Sequence, residues 1–101
     1  MTEKIMCAAI WYQDNKKHPH QPENVEEGYV ICGHRHHNII YIQHLAKIKV
    51  SHWGNTRWCQ GFLTDKNRFV DREEGAKIAL ACGQIDKLNF SGNKLYSEDL
   101  Y

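Results

Sequence analysis

Long apolar runs are missing from this 101-residue chain. No stretch approaches the ~20 residues a membrane helix needs, so a membrane protein is not expected. The start, MTEKIMCAAIWY, has no long apolar core followed by small residues, so a secretory leader is not expected either. Charge of one sign is also missing. The formal net charge is +1, which gives no global field towards DNA or a membrane surface. Any anion must be held by a local cluster. Paired cysteines are absent: Cys7, Cys32, Cys59 and Cys82 are spread along the chain with no C-x-x-C. That argues against a zinc ribbon or a C-x-x-C redox motif and leaves four small buried hydrophobes in a reducing compartment as the expectation. Proline is scarce, and both copies lie in residues 13–28. H-x-[ST] motifs, which two-histidine phosphodiesterases use in pairs, do not occur, nor does H-E-x-x-H.

The apolar content of 42% and charged content of 25% belong to an ordinary globular chain, long enough for one domain with a modest core. Residues 3–12 read as a strand ending in the β-formers Ile10, Trp11 and Tyr12. Residues 13–28 form a polar loop, long for so small a domain, and such loops are often functional or mobile. Tyr29–Cys32 read as a short strand. Residues 36–48 lack Gly and Pro and place Ile40, Tyr41, Leu45 and Ile48 at helical spacing, with His37, Tyr41, His44 and Ile48 on one face. Gly54-Asn55 suggests a turn. Residues 61–63 and 68–70 read as a hairpin. Asp71, with Glu74 three residues on, is a capping-box start for a helix over 72–82 that stops at Gly83. Ser97–Leu100 suit one short turn. The expected fold is α+β: one domain over 1–101, a small antiparallel sheet packed with two helices, and oligomeric.

The densest chemistry is GHRHH: Gly33, His34, Arg35, His36 and His37. These types suit three tasks. Metal binding needs three or four ligands to converge. Two histidines supply too few, and no partner spacing completes the set, so no metal and no cofactor are expected. Acid–base catalysis is open to histidine near neutral pH, but no nucleophile is evident, so no catalytic residue is assigned. Anion binding suits the set best. Gly33 permits a tight turn, Arg35 offers a fork to phosphate, and the next helix start presents N–H groups. Phe62, Arg68, Phe69 and Arg72 repeat the theme of a flat face beside a guanidinium, as a nucleotide wants. Phe62 and Phe69 read equally well as core, and Arg68 and Arg72 as a solvated face.

QGFLTDKNRFVDREEGAKIALACGQI followed by LYSEDLY resembles a pattern of small tailed-phage proteins. The pattern is G-F-x-T, a turn, R-F-V-x-R-x-E-A, I-A, G-Q-I and L-Y-S-E-D-L. It covers about residues 60–101, with GHRHH as a looser match upstream. Gly75 stands where the pattern has Ala. The similar family is that of the anti-Thoeris sponges, which sequester cyclic ADP-ribose-type signals and, in relatives, cyclic oligonucleotides. The resemblance implies a non-catalytic anti-defence protein in the cytoplasm of an infected bacterium. It implies a homodimer or higher oligomer with pockets at subunit interfaces. Phe62 or Phe69 would stack on adenine. Arg68 and Arg72, or Arg35, would hold phosphates, and Asp71 and Glu73 would meet ribose hydroxyls. Trp11, Trp53 and Trp58 are interface candidates. Two alternatives stay open: a histidine- or metal-dependent phosphodiesterase or nuclease, and a direct protein inhibitor of a host defence factor.

Overall fold

The computed structural model describes residues 2–48, 57–88 and 92–100. Strand β1 (Ile5–Gln13) is the long central strand. It pairs on one side with β2 (Tyr29–Gly33) and on the other with β3 (Arg57–Thr64), which pairs in turn with β4 (Phe69–Asp71). All three pairings are antiparallel, in the order β2-β1-β3-β4. Helices α1 (His36–Leu45) and α2 (Arg72–Ala81) and the short α3 (Ser97–Leu100) complete the α+β fold expected from sequence. Trp53 and the Gly54-Asn55 turn lie outside the described residues.

Alternation assigns the two faces of the sheet. Ala8, Ile10 and Tyr12 face the main core with Phe62 and Val70. Ala9, Trp11, Val30, Leu63 and Phe69 line the opposite face, where Val25 of the 14–28 loop covers them. Ile5 would fall on the wrong face by strict alternation. A register shift between Ile5 and Cys7 leaves exposed Met6 as a bulge and returns Ile5 to the main core.

Helix α2 starts as its sequence predicts. The Asp71 carboxylate accepts from the Glu74 N–H at 2.8 Å, and Gly83 takes a left-handed φ of 79° just past the end. Helix α1 departs from expectation. It ends at Leu45, because Lys47 adopts φ 57° and the Ile48 N–H turns back to the Gln43 carbonyl at 3.0 Å. Its buried residues are His36 and Ile39, while Tyr41 and Leu45, placed at helical spacing by the sequence, are each 63% exposed. Three near-consecutive isoleucines make the helix apolar around much of its circumference, so periodicity does not select the inward face.

The N-terminal segment is tied to the hairpin through Glu3. Its carboxylate accepts from Arg68 Nε and Nη2 at 2.9 and 2.8 Å and from the Thr64 hydroxyl at 2.6 Å. The Arg68 bonds first, then Thr64, lower the Glu3 carboxyl from 4.5 to about 2. A carboxylate depressed on folding adds stability that is complete above its unfolded value and lost as pH falls through its folded one. Urea midpoints should therefore drop more steeply between about pH 4.5 and 2 in the wild type than in Glu3→Gln. Equal slopes in the two proteins would remove Glu3 from the account.

Candidate functional site

The structure distributes GHRHH over several tasks. Gly33 ends β2, and a Cβ there would meet Ile39 Cγ1 at 3.0 Å. His34 and His37 are exposed. Arg35 is the N-cap of α1: its N–H donates to Asn38 Oδ1 at 3.0 Å, and its guanidinium lies 3.7 Å from Glu98. His36 is buried, donates from Nε2 to the Gly61 carbonyl at 2.7 Å, and meets the Phe62 ring edge-on at 5.1 Å. Burial, opposed by that hydrogen bond, lowers its pKa, so the neutral imidazole is the stable form. It is a structural pin between α1 and β3. The cluster does not converge on one point.

The second set is similarly committed. Stacking on a base needs an open ring face, and Phe62 has none at 0% exposure. Phe69 is 6% exposed, on the opposite sheet face, edge-on to Trp11 at 5.7 Å. Both phenylalanines alternate into a core, one on each face of the sheet. Arg68 is bidentate with Glu3, and Asp71 caps α2. Arg72 donates to the Leu95 carbonyl at 2.9 Å and to Gln60 Oε1 at 2.7 Å, and its guanidinium lies 4.5 Å from the Tyr96 ring centroid. Burial lowers its pKa from the ordinary arginine value. Each arginine of the set thus meets a carboxylate, carbonyl or carboxamide of its own chain. Among the described residues, no group of three or more His, Cys, Asp or Glu is placed to hold a metal.

A small hollow of about 180 Å³ lies beside Arg72, lined also by Gln60, Asp71, Glu73 and Lys94. A larger cleft of about 600 Å³ opens near the ends of β1 and β3, under the long loop. Trp11, Gln13, Asn15, Asn24, Glu26, Glu27 and Arg57 line it. The loop over it is held by many local bonds. The Trp11 indole N–H donates to the Glu27 carbonyl at 2.8 Å. Asn24 brackets Phe69, donating to its carbonyl at 2.7 Å and accepting from its N–H at 2.8 Å. Gln21 accepts from the Val30 N–H at 2.8 Å, and Asp14 pairs with His18 at 2.8 Å. Gly28 takes φ 85°, where a Cβ would strike the Tyr12 carbonyl oxygen. Of the lining residues the sequence singled out only Trp11, as an interface candidate. The loop's length and the tryptophan at the strand end were the available signals.

The model of one family, described as Phage T4 y16D protein, matches residues 4–101. The chain belongs to that family. No curated protein and no solved structure matches it significantly. As a member of the y16D family it is a phage protein, and the description of the family names no activity. No described helix is long and apolar enough to cross a membrane. The motif LYSEDL, shared with the pattern noted above, has a clear structural task here: Leu95 and Tyr96 dock on Arg72, and Glu98 lies beside Arg35.

Proposed function

We propose that this phage protein is a non-catalytic binder that sequesters a cyclic nucleotide immune signal of its host and leaves it intact. The observation that carries the reading is the 600 Å³ cleft, whose volume is that of a small-ligand site. Its lining combines what a nucleotide needs. Trp11 brings an aromatic surface, Arg57 a fork for phosphate, and Gln13 and Asn15 carboxamides for base edges. Glu26 and Glu27 suit ribose hydroxyls, as carboxylates do in dinucleotide sites.

Charge narrows the choice. Two carboxylates against one guanidinium disfavour a phosphate-rich ligand and favour one rich in ribose hydroxyls. Cyclic ADP-ribose isomers keep more free ribose hydroxyls per phosphate than cyclic dinucleotides do. They are the preferred class.

The test is thermal unfolding with cyclic ADP-ribose isomers and cyclic di- and trinucleotides. Ligand at ~100 times its dissociation constant should stabilise the wild type by about 2.7 kcal/mol. Arg57→Ala and Glu26→Gln, both at exposed positions, should abolish the shift, and Arg35→Ala should keep it. Heating the complex must return unaltered ligand. A cleaved product would make the protein a phosphodiesterase. A shift lost only in Arg35→Ala would return the site to GHRHH.

A second reading, direct binding to a protein, is favoured by α1. Ile40, Tyr41, Ile42 and Leu45 are 37%, 63%, 41% and 63% exposed on one short helix. Exposed apolar patches often mark protein contacts. Capture of a host defence protein, with no response to any nucleotide, would support this reading over sequestration. Self-association lost in Leu45→Asp would assign the helix to a homo-oligomer interface.

A further inference from the structure

The cysteines depart from the expectation of four buried hydrophobes, because Cys32 is exposed and the other three are intermediate. Their places in the sheet differ. Register pairs Cys32 with Ala9, so Cys32 lies on the same face as Cys7, one side-chain row away on the neighbouring strand. Each thiol shifts the other's acidity, as near neighbours do. Cys59 shares that face but lies on the far side of β1, opposite Trp11 and two rows from Cys7. Cys82 ends α2, its thiol bonded to the Ala79 carbonyl at 3.7 Å and to Gln84 Oε1 at 3.2 Å. The fold selects one pair from four thiols.

We propose that Cys7 and Cys32 form a dithiol that a hydroperoxide closes reversibly to a disulfide, fastening edge strand β2 to β1. The Cys7 thiolate attacks one peroxide oxygen. The O–O bond breaks, Cys7 becomes a sulfenic acid, and the departing oxygen leaves as water (or as an alcohol, from an organic peroxide) after taking a proton. The Cys32 sulfur then attacks the Cys7 sulfur. The S–S bond forms, the S–O bond breaks, and a second water leaves with the Cys32 proton. Two thiols are oxidised and one peroxide is reduced.

Three features support this chemistry. Interaction with Cys32 lowers the Cys7 thiol from its ordinary value and raises that of Cys32, which makes Cys7 the more acidic of the two. Cys32 is open to solvent as the resolving partner. Diagonal neighbours on antiparallel strands sit just beyond the usual disulfide reach, so closure requires a shear of one strand. β2 has only five residues and, among the described residues, lies at the edge of the sheet, which leaves it room for that shift. The resulting strain makes the bond easy to reduce. The ring between Cys7 and Cys32 encloses every cleft residue except Arg57, but the proposal does not depend on what the cleft binds.

The test treats the full, reduced chain with one equivalent of hydrogen peroxide under native conditions, then alkylates and digests it with trypsin without reductant. The four cysteines fall in four different tryptic peptides. The expected product joins Ile5–Lys16 to His18–Arg35, lacks two hydrogens, and reverts with dithiothreitol. Cys59→Ser and Cys82→Ser should leave its yield unchanged. Cys32→Ser should leave a Cys7 sulfenic acid that dimedone traps. Comparable yields of links to Cys59 or Cys82, or over-oxidation with no link, would overturn the proposal. The wild-type map decides this even if a variant fails to fold.

Discussion

Gly61→Ala should destabilise the protein by about 3 kcal/mol, lowering the thermal midpoint by roughly 15 °C. Gly61 sits inside β3, opposite Asp71 of β4. A Cβ there would run into the Val70 carbonyl oxygen, with Phe69 Cζ at 2.8 Å and the Val70 carbonyl carbon at 3.0 Å. Backbone, not a flexible side-chain tip, would have to move. Moving Val70 displaces Asp71, which caps α2, and moving Gly61 shifts the carbonyl that pins His36. One methyl group would therefore strain the hairpin and both helix starts. Gly75→Ala is the control. Its Cβ would meet only side-chain atoms, Phe62 Cδ2 at 3.0 Å and Leu95 Cδ2 at 3.5 Å. The helix-propensity gain of about 1 kcal/mol works against that crowding, so the net change should be small. A Gly61→Ala midpoint equal to the wild type would disprove the close approach of β3 and β4.

The same contrast explains which features the sequence disclosed. The start of α2 was legible because the Asp71 carboxylate caps the Glu74 N–H within one turn. The first two strands and the hairpin were legible because alternation is local. The Met6 bulge was not, since it depends on how Ile5 and Cys7 meet β3. The end of α1 was not, because Lys47 occupies a left-handed position that usually advertises itself with glycine.

The candidate site was harder still, for a chemical reason. An arginine suited to a phosphate is equally suited to a carboxylate or carbonyl of its own chain, and residue type does not distinguish them. Arg68 finds Glu3 at the other end of the chain, and His36 finds Gly61. The cleft draws on β1, the long loop and Arg57, which alternation and motif spacing do not bring together. Only the loop's length and Trp11 at the strand end signalled it.

Arg72→Ala should cost about 3 kcal/mol, and the loss should appear first in the C-terminal tail. The guanidinium makes two hydrogen bonds, to the Leu95 carbonyl and Gln60 Oε1, and lies over the Tyr96 ring. Hydrogen bonds to a charged group contribute about 1.5–3 kcal/mol, and a cation over an aromatic ring adds about 0.5–2. The Arg72 carbonyl also accepts from the Leu95 N–H at 2.9 Å, a bond that alanine keeps. Truncation therefore loosens the tail without abolishing its docking point. The urea midpoint should fall at unchanged m-value, and carboxypeptidase should trim the tail back to Leu95 faster than in the wild type. Arg72→Lys should not restore either property, because one ammonium cannot span both acceptors and stack flat on Tyr96. The alternative role, a grip on a ligand phosphate, predicts the reverse: a stable Arg72→Ala protein with a resistant tail and lost ligand binding. That result would move Arg72 from the tail clamp to the binding site.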